Sequence, residues 1–307
     1  MVNSKGLQVL TNNARPQFSI IIPNYNMANF LPHAIESVLS QSFEDFELII
    51  ADNCSTDDSL EVINRYNDSR IKILKNVTNL GLFTNLNVAV AHAAGNFIHV
   101  LCADDEFYSE TLEKINEAYV AFGQAKSEVY LFHQINIGKS KGENISEDLN
   151  SARIYRFDEI LKIRRGLSEV CVSRKLLTKI GGFGPPNANA FSADWLWFGK
   201  CALEAEVIIG LNSKLVFERQ HEGQNRLIMP KMYQLIELHE LYSSDKIKDN
   251  LDVQIEFTRI LIRHFLFSIR YLQRKRSIRY IWFVLKFLML TNTMKLHFRK
   301  ALKQFYI

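Results

Sequence analysis

Four short apolar runs, at residues 18–22, 46–51, 71–74 and 97–101, alternate with segments whose apolar side chains recur at helical spacing. No other feature restricts the fold as strongly. Short runs of this kind read as strands, and strands alternating with helical segments give βαβ units and a mainly parallel sheet. The chain is therefore expected to be an α/β protein with a mainly parallel sheet flanked by helices. The first run ends at Pro23, which cannot donate to a ladder and suits a strand end. Leu31, Ala34, Ile35, Val38 and Leu39 form a helical stripe within residues 30–41, with Pro32 tolerated in the first turn. Residues 58–66 read as a second helix capped by Ser55 or Thr56, and residues 82–94 as a third after a turn at 79–81.

Three of these strands end in polar loops: Pro23 to Asn26, Asp52 to Asp57, and Asp104 to Glu106. Open α/β sheets hold ligands at the carboxyl ends of their strands, so these three ends are expected to face one crevice. The neighbours Asp104 and Asp105 repel unless a cation lies between them. A hard divalent ion carrying phosphate oxygens is one answer, and an ordinary acidic turn is the other. No Gly-x-Gly-x-x-Gly follows the first strand and no Walker lysine loop occurs, so neither a dinucleotide fold nor a P-loop enzyme is supported. Further on, residues 130–137, 170–173 and 214–217 read as strands and residues 156–165 as a helix. A sharp turn at 181–186 precedes Asp194, which stands at the head of a helix marked by Trp195, Leu196, Phe198, Ala202 and Leu203. On spacing alone Asp194 is a helix cap.

The runs IIPNYN, SVLSQSF, FELIIADNCSTDDS, NLGLFTNLNVAV and GNFIHVLCADDEF, in this order and spacing, resemble the nucleotide-sugar half of family 2 glycosyltransferases with the GT-A fold, of the bacterial surface-polysaccharide type. The similarity covers roughly residues 18–225. It implies a catalytic domain over 18–228, with a nucleotide-sugar half at about 18–122 and an acceptor half at about 123–228, between a polar lead-in at 1–17 and a helical extension at 229–307. In that family Pro23 and Tyr25 would lie against the base, with Tyr25 able to stack on it or cap it. Asp52 and Asn53 match a place where the family often shows two acids, the second accepting the base N3–H. Asn53 carries a carbonyl but no charge, so uracil is favoured without being settled. Asn79 is expected in the same nucleotide-binding loop set. Cys102 stands where many relatives have a further Asp, which leaves the metal, Mg²⁺ or Mn²⁺, to Asp104 and Asp105. One of these would hold the ion against the diphosphate and the other the ribose or sugar. The resemblance makes Asp194 the general base of a direct inverting transfer, and it gives His221, in the segment RQHEGQ, a place at the metal or a phosphate.

Of 37 Lys and Arg residues, twelve lie after Glu256, where no acid occurs, leaving 25 bases against all 33 acids in residues 1–256, a formal −8. The tail is thus basic and the body acidic. Bases interleaved with aliphatic and aromatic residues around Trp282 point to a helix on an anionic membrane surface, the alternative being a packing or homodimer element. The apolar run at 280–290 is too short for a bilayer span. No nucleic-acid motif accompanies the charge. The four cysteines lack paired spacing, and no apolar leader follows a basic start, so a cytoplasmic protein, peripheral at most on the inner face of the membrane, is expected. The partners implied are a nucleoside-diphosphate sugar, most simply UDP-linked, and a glycan or lipid-linked acceptor. Two rival classes stay open: a non-catalytic sugar-nucleotide binding protein of the same fold, supported by Asn53 and Cys102, and a nucleotidyltransferase, disfavoured because residues 23–29 carry no Lys or Arg.

Overall fold

A computed structural model describes residues 15–141, 152–160, 163, 166–184 and 193–221. The basic tail and its helical, membrane and dimer expectations lie outside the described residues. In chain order the elements are β1 (Phe18–Asn24), α1 (Leu31–Leu39), β2 (Phe46–Asp52), α2 (Ser59–Ile63), β3 (Ile71–Lys75), α3 (Leu82–His92), β4 (Phe97–Val100), β5 (Glu106–Phe107), α4 (Thr111–Phe122), β6 (Val129–Gly138), β7 (Arg153–Tyr155), α5 (Phe157–Ile160), a 3₁₀ turn (Leu167–Glu169), β8 (Val170–Ser173), α6 (Arg174–Lys179), α7 (Ala193–Glu204) and β9 (Val207–Arg219).

The nine strands of the described residues form one sheet in the order β3-β2-β1-β4-β8-β6-β9-β5, with β7 also paired to β9. The expected parallel sheet is its first part: β3, β2, β1 and β4 are all parallel. Beyond β4 the pairing is mixed, because β8 runs antiparallel to both β4 and β6, whereas β6 and β9 are parallel. β1 extends one residue past Pro23. Pairing with β4 stops at Ile21↔Val100, so Pro23 lies past the last paired residue on that side.

Strand alternation sorts the core into two layers. Ile20, Ile22, Leu48 and Ile50 pack with Leu31, Ile35 and Val38 of α1 and Leu112 and Ile115 of α4. Ile21, Ile49, Ile98 and Val100 face the other way, onto Phe83, Leu86 and Ala89 of α3, and onto α6 and α7. Each aliphatic side chain buried in this way contributes about 1.5–3 kcal/mol relative to exposure. β3 is an edge strand, and its outer positions are exposed.

Some local expectations change. Ser55 does not cap α2, whose N-cap position is Asp58; the Ser55 hydroxyl instead accepts from Asn24 Nδ2 and the Asn26 backbone N–H. The helix expected over 156–165 is only α5 within the described residues, and the strand expected at 214–217 is the end of the longer β9.

At the amino ends of the strands, opposite the polar loops, Glu47 is buried. It accepts from Ser19 Oγ, Lys72 Nζ and the backbone of Ala94 and Gly95. Burial pushes its carboxyl up, but Lys72, Ser19 and Ala94 together pull it below the usual range. A depressed carboxylate stabilises the fold above its unfolded pKa, and that contribution fades as pH falls through the folded value. Gly95 fits only without a side chain: a Cβ there would lie 2.4 Å from Ser19 N and 2.6 Å from the Phe18 carbonyl carbon, both backbone atoms. Gly95→Ala should therefore lower the unfolding free energy by about 1–3 kcal/mol, as overpacking does, read from urea melts; an unchanged midpoint would show that β1 and β4 can part there.

Candidate active site

The ends of β1 and β2 and the loop before α3 enclose a cavity of about 260 Å³ lined by Pro23, Asn24, Tyr25, Asn53, Asn79, Gly81, Leu82 and Asn85. Four residues expected at a nucleotide, Pro23, Tyr25, Asn53 and Asn79, come together here, and Tyr25 is 45% exposed, leaving its ring available for stacking. Asp52 is fully buried and does not line the cavity. Its carboxylate accepts from Asn24 Nδ2 at 2.8 Å and from the Ser55 backbone at 3.1 Å, tying the end of β1 to the loop after β2.

Asn53 is occupied differently from the expectation. Its carbonyl accepts from the Leu80 backbone at 2.9 Å and from Asn76 Nδ2 at 3.1 Å, while its Nδ2 donates to Asn79 Oδ1 at 2.9 Å. A carbonyl oxygen has two lone pairs, so none is left for an incoming base N–H in this arrangement. Asn76 uses its second amide hydrogen on Asn85 Oδ1, and Asn85 Nδ2 donates to the Ala51 carbonyl. Four asparagines thus form a neutral, mutually satisfied network that holds the loop at 76–81 against β2.

The second cluster follows β4. Cys102, Asp104 and Asp105 each present a donor atom, all within 4.8 Å of one another. Asp104 Oδ2 lies 3.2 Å from His221 Nε2, and the His221 ring packs on Phe30 with centroids 4.3 Å apart. Asp105 is buried; its Oδ2 accepts from Ser168 Oγ at 2.6 Å, and its Oδ1 is buried with no hydrogen-bond partner. Burial, followed by the charge of Asp104, pushes the Asp105 carboxyl up to about 8. Burial also raises the Cys102 thiol, with Asp105 and Asp104 adding to it. A cation would relieve both strains, and two hard carboxylate oxygens with an imidazole suit Mg²⁺ or Mn²⁺. The residues present therefore fit a divalent ion.

His221 reaches Asp104 because β9 is pinned just before it. Arg219 pairs with the buried Glu106, which Lys141 also approaches at 3.4 Å, and the Gln220 backbone donates to the Gly138 carbonyl at 2.7 Å. The sequence does not mark Ser168 or Lys141, and it marks Glu106 only as part of the polar end after β4. Nothing in the local sequence around them differs from ordinary loop and strand ends, and Ser168 and Asp105 are 63 residues apart.

Asp194 is the second residue of α7, and its side chain lies outside the described residues. The turn before that helix is firmly held. Asn87 accepts from the Phe183 backbone and donates to its carbonyl, and Trp197 Nε1 donates to the Gly182 carbonyl while its ring stacks on Phe183 at 4.6 Å. Gly182 has φ +91°, and a Cβ there would meet Asn87 Oδ1 at 2.6 Å.

The model of the family described as "Glycosyl transferase family 2" matches residues 19–174, half of the chain. The chain belongs to this family. It is similar to the Bacillus subtilis chain named as glycosyltransferase EpsE, with 39% identity over 105 residues, which is 33% of this chain and 38% of EpsE. It is also similar to the Staphylococcus aureus poly(ribitol-phosphate) β-N-acetylglucosaminyltransferase TarS, with 27% identity over 272 residues, 82% of this chain and 45% of TarS. This family 2 chain thus spans less than half the length of either relative. TarS 1–349, solved in complex with UDP-GlcNAc, superposes with a TM-score of 0.72 at 21% identity, covering 89% of this chain and 79% of that one. A mannosyltransferase from Pyrobaculum calidifontis, solved with GDP-Man and Mn²⁺, gives 0.58 at 15% identity, covering 95% and 87%. Both show that the fold is shared, the mixed sheet of the GT-A type.

The asparagine network yields a prediction of its own. Asn53→Ala deletes three hydrogen bonds and leaves the Leu80 N–H without its acceptor, so stability should fall by about 2–3 kcal/mol in chemical denaturation. A loss below 0.5 kcal/mol, on the order of a neutral surface change, would show that the loop at 76–81 is held by other contacts.

Proposed function

We propose that this chain is a metal-dependent inverting glycosyltransferase that moves a sugar from a nucleoside diphosphate, most simply UDP, to a hydroxyl of a glycan or lipid-linked acceptor in cell-surface polysaccharide synthesis. The observation that carries the reading is the pairing of two features at the carboxyl ends of the neighbouring strands β1 and β4. One is an amide-lined cavity with an exposed tyrosine, and the other is a cluster of two acids and an imidazole. Membership of family 2 supports the reaction class, and the UDP-GlcNAc complex of the similarly folded TarS supports the donor class.

In this reading Pro23 and Tyr25 receive the base, Asn79 borders it, and Asp52 and Asn53 keep the loops around it in place. Asp104 and Asp105 hold the ion, and His221, braced on Phe30, completes its ligand set or meets a phosphate. A bound divalent ion supplies positive charge against the phosphate oxygens as negative charge grows on the departing nucleoside diphosphate. Asp194 takes the proton of the acceptor hydroxyl as that oxygen attacks the anomeric carbon, and the bond to the diphosphate breaks with inversion. Its support is its place in the first turn of α7, behind the turn that Asn87 and Trp197 hold. Among the described residues no helix is long and apolar enough to cross a membrane. The twelve bases after Glu256 support contact of the tail with anionic lipid, where a lipid-linked acceptor would be presented.

The full chain, incubated with UDP-, GDP- and CDP-linked sugars and MnCl₂, should release UDP from at least one donor and lose that activity in EDTA. Release from none of them would overturn the enzyme reading, and undiminished release in EDTA would overturn metal dependence. Asp104→Ala should abolish turnover and weaken donor binding in calorimetry. Asp194→Asn should keep donor affinity while turnover falls roughly 10²- to 10⁴-fold, as for a lost general base; weakened donor binding with unchanged turnover would show that Asp194 serves the donor instead.

A further inference from the structure

Ser168 lies in the 3₁₀ turn Leu167–Glu169, just before β8, and is 4% exposed. It is held at both of its polar ends. Its carbonyl accepts from His99 Nε2 at 3.2 Å, and that imidazole is fully buried in β4 against the Phe107 ring. Its hydroxyl accepts from the Cys102 backbone N–H at 3.0 Å and lies 2.6 Å from Asp105 Oδ2. The Cys102 N–H can only donate, so the single hydroxyl hydrogen of Ser168 is available to Asp105 Oδ2 when that carboxyl is ionised, as a metal ligand is. One oxygen of Asp105 is thereby fixed, and the other, Oδ1, is buried without a partner.

We propose that Ser168 is a positioning residue: by holding Asp105 Oδ2, it fixes the carboxylate so that Oδ1 is kept for a divalent ion shared with Asp104. The inference rests on the metal reading of Asp104 and Asp105 given above. A carboxylate that ligates a metal is oriented by the donors behind it, and loss of such a donor typically weakens the metal 10- to 100-fold. The hydroxyl also links the two halves of the domain, since it comes from the element that leads into β8, whereas the acids follow β4. β8 and β4 pair directly, with His99 opposite Cys171, so the sheet itself sets the reach of Ser168.

The test is Mn²⁺ binding to the full chain without any donor or acceptor, read from the loss of the free-ion electron paramagnetic resonance signal. Wild type, Ser168→Ala, Ser168→Thr and Asp104→Ala are compared, with a thermal melt of each. Ser168→Ala should raise the Mn²⁺ dissociation constant about tenfold at a temperature well below its melting midpoint, which the loss of the Cys102 N–H acceptor lowers, and Ser168→Thr, which restores the hydroxyl, should return most of the affinity. Ser168→Ala binding Mn²⁺ as wild type does would overturn the positioning role and leave the metal site standing. So would Ser168→Thr weakening the ion as much as Ser168→Ala does, because the hydroxyl would then not be the cause. Wild type that takes up no Mn²⁺, or Asp104→Ala that takes it up unchanged, would instead overturn the metal reading, and the positioning role with it.

Discussion

Parallel pairing of β1 between β2 and β4 is the constraint on which the rest of the structure depends. Strands buried on both faces leave most of the side chains along their length apolar. Parallel strands also end on the same side of the sheet. Polar residues that follow β1, β2 and β4 therefore collect at one edge, and they must satisfy their own buried groups there. Asp52 with Asn24 and Ser55, and Asn53 with Asn76, Asn79 and Leu80, do so through direct hydrogen bonds.

The two polar regions at that edge differ in charge. Around the cavity the amides of Asn53, Asn76, Asn79 and Asn85 pair with one another, and Asn24, bonded to Asp52, keeps one buried oxygen without a partner. After β4 the arrangement is left electrostatically incomplete: Asp105 is buried beside Asp104, its carboxyl is pushed up, and one oxygen has no partner. Such a site is costly for the empty protein and favours a ligand that carries positive charge. The contrast separates a surface suited to a neutral base from one suited to a cation and the phosphates it carries.

Elements beyond β4 finish the acid cluster. The 3₁₀ turn before β8 brings Ser168 to Asp105, and the end of β9, braced by Glu106, Arg219 and Lys141, brings His221 to Asp104. Mixed pairing makes this reach available. β8 returns antiparallel along β4, so its start lies near the carboxyl end of β4, beside the acids. A wholly parallel continuation would have started β8 at the opposite end of the sheet.

The sequence by itself determined the strand and helix alternation, the strand ends at which Pro23, Tyr25, Asp104 and Asp105 stand, and the turn that carries Asn79 into the third helix, because each follows from periodicity and from chain breaks a few residues away. The cap expected at Ser55 was lost because that side chain found a distant partner in Asn24, and Asp58 takes the N-cap position. Tertiary structure alone decided that the Asn53 carbonyl is spent on Leu80 and Asn76, that Ser168 holds Asp105, and that His221 meets Asp104 across 117 residues of sequence. The physical reason is that a hydrogen bond is specified to a few tenths of an ångström by the positions of both partners. A local pattern fixes which residues are available at a strand end. Only the packing of the whole sheet fixes which atoms they meet.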